Sequence, residues 1–194
     1  MTIYGNAISG NCHKVKFVCD RLGIPYRWVE VDLSKGETRT SAFLAMNPAG
    51  QVPTVMFDDG RPLAQSNAIM QYLAEGSDLI PTDAFDRALM NQWLFWEQYS
   101  HETAIAVRRY YAHILKKPDG EIDPSLIEKG KRALGVMEGH LAARQYFVGE
   151  KLTLADLALV AYTRLSHEAG FDLAEFPAVK DWVRRIERDL GLNS

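Results

Sequence analysis

Along the first 75 residues the spacing of apolar positions switches between two periods. A short β-prone run at residues 2–4 precedes Val15, Val18, Cys19 and Leu22, spaced i, i+3, i+4, i+7 as on one helix face. Gly23 and Pro25 end that helix. Residues 26–31 alternate as a strand, with Tyr26, Trp28 and Glu30 opposite Arg27, Val29 and Val31. Residues 34–40 read as polar loop, and 41–46 as a short helix stopped at Asn47-Pro48. Strand-like runs at 54–57 and 61–64 flank Asp58-Asp59-Gly60, a hairpin signal. Ser66 then opens a helix reaching about Ala74. The predicted order is β-α-β-α-β-β-α: a βαβ unit, a hairpin and a closing helix, giving a mixed sheet with helices on its faces.

Residues 75–83, with Gly76, Asp78 and Pro81, read as a linker. Beyond it the strand signals stop. Residues 85–116 form one long helical pattern with Leu89, Trp93 and Trp96 on a face, broken by Pro118, Gly120 and Pro124. A second helix covers 125–144, a third carries Leu154, Leu157, Ala158, Ala161 and Leu165, and a fourth begins at Pro177 with Val179, Trp182, Val183 and Ile186 inside. The expectation is an α/β domain at 1–76 and an all-α helical bundle at 84–194.

Composition narrows the setting rather than the function. Apolar residues make up 47% of the 194, enough for a core without metals or disulfides. A net charge of −3 with scattered basic residues gives no case for nucleic acid or an anionic membrane as partner. No apolar run approaches membrane-spanning length, and the N-terminus lacks the apolar core of a signal peptide. Cys12 and Cys19, seven residues apart on one helix, would sit about 10 Å apart, too far for a disulfide. Free thiols suit a reducing cytoplasm. The five histidines show no ligand spacing, so no metal is expected.

Chemistry concentrates in residues 47–66. Pro53 precedes a strand. A cis Val52-Pro53 bond there would make a tight turn and leave the Val52 N–H and C=O at a sheet edge, where a peptide can pair. A trans proline at a strand start is the plain alternative. Ser66 begins a helix whose free N–H groups and positive dipole end attract a carboxylate, and its hydroxyl can bond the same group. The plain alternative is an N-cap.

NPAGQVPTV followed by LAQSNAIMQYLAE resembles the glutathione transferase superfamily, and the resemblance covers essentially the whole chain. It implies a thioredoxin-like N-terminal domain, a cis-proline, and a homodimer that binds glutathione and a small electrophile. By resemblance the Val52 backbone pairs with the cysteinyl unit beside Pro53, Gln65 and Ser66 hold the γ-glutamyl end, and Lys35 reaches the glycyl carboxylate. Where Ala49 stands the family often has a basic or polar residue, so one contact is missing.

Ile8-Ser9-Gly10-Asn11-Cys12 resembles the loop where the family keeps its catalytic residue. Ser9 falls at that position, where a hydroxyl donates to the thiolate; the alternative is a serine that only caps helix 1. Asn11 can donate from the same loop. Cys12, at a helix N-terminus, is a rival of another kind, since a lowered pKa would support glutathione–disulfide exchange. Its plain reading is a small packed residue. For the electrophile the resemblance points to Ile8 and to Tyr99, Glu102 and Arg108 on one stripe of the long helix. Thr153-Leu154-Ala155-Asp156 matches a capping box, which gives Asp156 a structural role. The leading expectation is a glutathione transferase. The alternatives are a Cys12-dependent oxidoreductase and a non-catalytic interaction module of the same fold.

Overall fold

The computed structural model describes residues 1–192, in two compact units, Met1–Asp78 and Leu79–Ser194. In the first unit β1 (Thr2–Gly5), α1 (Gly10–Leu22), β2 (Arg27–Glu30), α2 (Ser41–Met46), β3 (Thr54–Met56), β4 (Pro62–Ala64) and α3 (Ser66–Leu73) follow the predicted order. The sheet runs β2-β1-β3-β4. β1 is parallel to β2, with Ile3 opposite Trp28, and antiparallel to β3, with Ile3 opposite Val55. β3 pairs antiparallel with β4, with Val55 opposite Leu63.

The periodicities of the sequence are the contact pattern of this core. Ile3 and Val55 from the sheet meet Val15 and Cys19 from α1 and Ile69 from α3, all fully buried. Gly23 ends α1 with φ 64°, a left-handed conformation that a residue with a Cβ adopts only at a cost. Helices α1 and α3 thus cover one face, and their N-termini open toward the loops that follow β1 and β4.

The second unit contains α4 (Ala84–Trp96), α5 (Glu102–Arg109), α6 (Ser125–Leu141), α7 (Leu154–Thr163) and α8 (Pro177–Asp189). Here the expectation of one regular helix over 85–116 is corrected. Two π-helical turns, Glu97–His101 and Tyr110–Ile114, interrupt it. Each widened turn takes in an extra residue and rotates everything beyond it. Leu79, read from sequence as linker, is buried, and its carbonyl accepts the Leu154 N–H at 3.1 Å.

Helix α7 is buried along its whole length and is tied down at its start by Asp156. One carboxylate oxygen accepts from the Thr153 N–H and hydroxyl, each at 3.0 Å. The other accepts from the Phe147 N–H and the Trp182 indole, also at 3.0 Å. Phe147 packs edge-on against Trp93 and Trp182. The capping box read in the sequence is therefore the polar centre of an aromatic core. Burial pushes the Asp156 carboxyl up to about 6 despite its four donors.

Candidate functional site

The loop after β1 is built by short-range hydrogen bonds. Asn6 ties it to β2, donating from Nδ2 to the Val31 carbonyl at 3.0 Å, and its Oδ1 accepts the Ile8 N–H at 3.2 Å. The Ser9 N–H returns to the Asn6 carbonyl at 3.0 Å, closing a tight turn into α1. Ser9 is the N-cap: with φ −83° and ψ 120° its Oγ accepts the Cys12 N–H at 3.4 Å. Accepting uses a lone pair and leaves the hydroxyl proton. The capping role and the thiol-activating role expected for Ser9 are therefore compatible in one rotamer.

Cys12 does not fit the exchange role offered for it. Its side chain is fully buried, and its sulfur accepts the Asn6 N–H at 3.3 Å. Burial pushes the thiol up to about 11, against the lowering effects of the Asn6 and Ser9 contacts. The helix end cannot offset that desolvation, so the expected low thiol pKa is corrected to a high one. Cys19 is likewise buried and raised to about 11, first by burial.

The second loop is organised by Asn47, itself almost fully buried. Its Nδ2 donates to the Gln51 carbonyl at 2.9 Å and to Thr54 Oγ1 at 3.1 Å, and its Oδ1 accepts the Ala49 N–H at 3.1 Å. Held between these bonds, the Val52-Pro53 peptide is cis. Among the described residues neither the N–H nor the C=O of Val52 has a hydrogen-bond partner. A half-buried backbone edge with both groups open is what an extended peptide needs to add itself as a strand.

The start of α3 is unusual in two ways. Gln65, its N-cap, has φ 70° and ψ 110° and makes no side-chain cap bond. A non-glycine residue there costs roughly 1–3 kcal/mol and persists only where its surroundings impose it. Ser66 is buried, and its Oγ donates to Asn11 Oδ1 at 3.0 Å, across 55 residues of sequence. This corrects one expectation. The Ser66 hydroxyl spends its proton on Asn11, so what it presents to an anion is the backbone N–H, which has no partner among the described residues. The same bond joins the β1–α1 loop to the 47–66 region, two features that lie far apart in sequence.

Of the basic residues, Lys35 lies in an exposed turn with its ammonium 3.0 Å from Asp32. The Ser34 hydroxyl and then Lys35 hold the Asp32 carboxyl well below the usual range. Sequence reading missed Arg39. Its Nη1 donates to the Ala49 carbonyl at 3.3 Å, and a Cβ on Gly50 would fall 2.5 Å from that nitrogen. A cation thus stands beside Ala49, where the sequence had shown a basic residue missing. The signal was weak, because nothing in the run of residues 37–41 marks one side chain as folding back across ten positions.

In the second unit the expected stripe of Tyr99, Glu102 and Arg108 does not exist. Tyr99 lies within the first π turn and is 85% exposed, whereas Arg108 is 7% exposed. The Arg108 guanidinium donates to the Ala169 carbonyl and to Asp119, both at 2.8 Å. Nine residues from Tyr99 is about two and a half turns of a regular helix, the opposite face, and there Arg108 braces the loops after α5 and α7. Glu102 accepts from Gln98 one turn earlier. Ile8, in the first unit, is exposed at the tip of its loop. Among the described residues no group of three His, Cys, Asp or Glu side chains is arranged to hold a metal, and no helix is long and apolar enough to cross a membrane.

An open strand edge beside a cis-proline, an uncapped helix start and a hydroxyl-bearing loop stand together on a thioredoxin-like domain. Comparison with known proteins agrees. Residues 8–75 match the N-terminal domain of glutathione S-transferase and residues 100–189 its C-terminal domain. Glutathione S-transferase 3 of Zea mays is 33% identical, over 96% of this chain and 88% of that one. The disulfide-bond oxidoreductase YfcG of Escherichia coli is 29% identical, over 91% of this chain and 85% of that one. A crystal structure of a glutathione S-transferase from Pseudomonas fluorescens superposes with a TM-score of 0.94 at 42% identity, over 96% of this chain and 94% of that one. The chain belongs to the glutathione S-transferase superfamily.

Proposed function

We propose that this protein binds glutathione and presents its thiolate to a small electrophile. The hydrogen bond from Ser66 to Asn11 carries this reading, because it places the anion-attracting start of α3 beside the loop that bears Ser9. In this reading the Val52 backbone pairs with the cysteinyl unit next to Pro53. The γ-glutamyl carboxylate meets the Ser66 N–H and the dipole end of α3, oriented by Gln65. The glycyl carboxylate meets Arg39, with Lys35 as the outer alternative.

The Ser9 hydroxyl donates a hydrogen bond to the thiolate sulfur and keeps its proton. An ordinary thiol pKa is about 8.5, and lowering it by about two units takes roughly 2.7 kcal/mol of thiolate preference. A charge-assisted hydrogen bond supplies about 1.5–3 kcal/mol and a helix end about 0.3–1 kcal/mol. The thiol proton leaves to solvent, sulfur forms the new bond to carbon, and the leaving group departs with its electron pair. Ile8 stays as a proposed contact for the electrophile; Arg108 does not.

Ultraviolet titration of bound glutathione tests the role of Ser9. Ser9→Ala should raise the thiol pKa by about one unit or more, and an unchanged pKa would remove Ser9 from the mechanism. A protein that binds glutathione without lowering its pKa at all would be the non-catalytic module.

A second reading is favoured by the similarity to YfcG. Bound glutathione thiolate attacks a disulfide, one sulfur leaves as thiolate, and a second glutathione resolves the mixed disulfide. Because Cys12 is buried with a raised pKa, this route uses the sulfur of glutathione and no protein thiol. Cys12→Ser should then keep full disulfide reductase activity; loss of that activity would restore Cys12 to the chemistry.

We further propose a cytoplasmic homodimer with domains at 1–76 and 84–194. Exposed Phe85 and Phe95 on α4 and Tyr99 just beyond it support self-association, since isolated soluble chains rarely leave three large aromatics on one helical segment uncovered. Sedimentation velocity separates dimer from monomer.

A further inference from the structure

We propose that Glu30 is a positioning residue for thiolate formation: one carboxylate grips the Ala7 N–H and the Trp28 indole together and so sets where Ser9 meets the sulfur. The proposal rests on the glutathione-binding reading above and adds to it a residue from β2, outside the sequence motifs.

Ala7 is held from both sides. Its N–H donates to Glu30 Oε1 at 2.9 Å, and its carbonyl lies 2.8 Å from His13 Nε2, which donates to it. Ala7 stands two residues before Ser9, with Ile8 between, so a shift of its peptide passes directly to the Ser9 hydroxyl. The other oxygen of Glu30, Oε2, accepts the Trp28 Nε1–H at 2.8 Å. Trp28 cannot move away. Its ring is wedged over Gly5 at the end of β1, where an added Cβ would lie 2.4 Å from Cη2. The lever therefore runs from the sheet through Trp28 and Glu30 to the Ala7 peptide and on to Ser9.

Two donors facing two oxygens is a demand only a carboxylate meets. Glutamine at position 30 would accept one N–H and turn its own NH2 against the other. The charge of Glu30 works in the opposite sense to its geometry. It is among the groups that push the nearby Cys12 thiol up, so the same negative charge disfavours a thiolate in this loop. Electrostatics gives no reason for an acid here, and geometry does. Misplacing a positioned group by a fraction of an ångström to an ångström costs catalysis far more than binding.

The experiment titrates the ultraviolet thiolate absorbance of bound glutathione in the full-length protein and measures the glutathione Kd alongside. In Glu30→Ala the thiolate-to-thiol ratio at pH 7 should fall about tenfold, a pKa rise of about one unit, while Kd changes by no more than about twofold. Glu30→Gln should fall in the same direction. The double variant Glu30→Gln with Trp28→Phe removes the clashing donor but also the tie to the sheet, and should recover part of the lost ratio. Unaltered thiol pKa in Glu30→Ala overturns the proposal, as does a double variant no better than Glu30→Gln alone. If Glu30→Ala does not fold, the Gln variant and its rescue decide the matter alone. A wild-type protein that leaves the glutathione pKa at its solution value refutes the proposed function instead, and is recognised before any variant is made.

Discussion

Helices α3 and α7 both start from buried residues, and they treat their first N–H groups in opposite ways. Helix α7 brings its own anion. Asp156 sits in its first turn and accepts four hydrogen bonds, two from Thr153 and one each from Phe147 and Trp182. Helix α3 brings none. Its N-cap Gln65 makes no cap bond, its first turn holds no acid, and its Ser66 hydroxyl is turned away to Asn11. A helix start leaves several N–H groups without partners, and burial makes that costly unless something satisfies them. In α7 the chain meets them itself, the Leu154 N–H at the Leu79 carbonyl and the Asp156 N–H at the Thr153 carbonyl, while Asp156 fixes the N-cap to the core. In α3 the Ser66 N–H has no such acceptor among the described residues, and in the proposed function the carboxylate of glutathione meets it. On this reading a structural helix start differs from a binding one in whether the chain supplies the acceptors itself.

The largest expected effect breaks the α7 side of this contrast. Asp156→Ala strips four donors of their acceptor and leaves several of them buried. The capping box alone is worth about 1 kcal/mol. Adding the unpaired Phe147 N–H and Trp182 indole, at about 1–3 kcal/mol each, brings the expected loss to about 3–7 kcal/mol. Chemical denaturation measures it. A loss under about 1 kcal/mol would mean that Asp156 is no more than a surface-grade cap.

The same residue gives the next effect through pH. Folding raises the Asp156 pKa from 3.8 to about 6. A carboxyl with a raised folded pKa holds its proton more tightly in the folded state, so its contribution to stability falls as pH rises between those values and is level outside them. Between pH 4 and pH 7 the wild-type protein should therefore lose on the order of 2 kcal/mol relative to Asp156→Asn, which has no proton to lose. A constant difference between the two proteins across that range would show that the four donors outweigh burial.

The sequence carried these two helix starts unequally. Element order and both sets of core positions were legible because burial imposes periods of 2 and 3.6 that survive any loop geometry. The capping box was legible because Thr153 and Asp156 act three residues apart. The site was legible only in part. The Val52-Pro53 and Gln65-Ser66 pairs are local and stood out, but their connection to the β1–α1 loop depends on Ser66 meeting Asn11 across 55 residues. Arg39 at Ala49 and Glu30 at Ala7 are long-range in the same sense, and no local pattern announces them. Arg108 was misplaced by its spacing, since nine residues from Tyr99 is about two and a half turns and the opposite face of the helix. For Cys12 the packed reading holds and the exchange reading does not, because a helix start is visible in sequence while burial is not.

On the α3 side the expected effects are on binding rather than on stability. Ser66→Ala removes the bond to Asn11 but leaves the backbone N–H. Stability should change by less than about 1 kcal/mol, and the glutathione Kd should weaken roughly fivefold because the start of α3 is no longer held to the β1–α1 loop. Isothermal titration and denaturation on the same sample give both numbers. If Ser66→Ala behaved like Asp156→Ala, destabilised and unable to fold at moderate temperature, α3 would be another structural start and the contrast would collapse.

The smallest effect sharpens the contrast most, because it should carry opposite signs in stability and binding. Gln65 holds φ 70°, where a side chain is strained and glycine is not. Gln65→Gly should relieve part of that strain and raise stability by about 0.5–1 kcal/mol, the rest being offset by the greater freedom of glycine in the unfolded chain. It should also weaken glutathione binding, since it removes the side chain proposed to orient the γ-glutamyl end. No comparable substitution exists at Thr153, whose φ of −129° is ordinary extended backbone, so Thr153→Gly should only destabilise. A more stable, weaker-binding Gln65→Gly protein would show that strain at the start of α3 is kept for the ligand. A destabilised one would show that Gln65 is held there by packing alone.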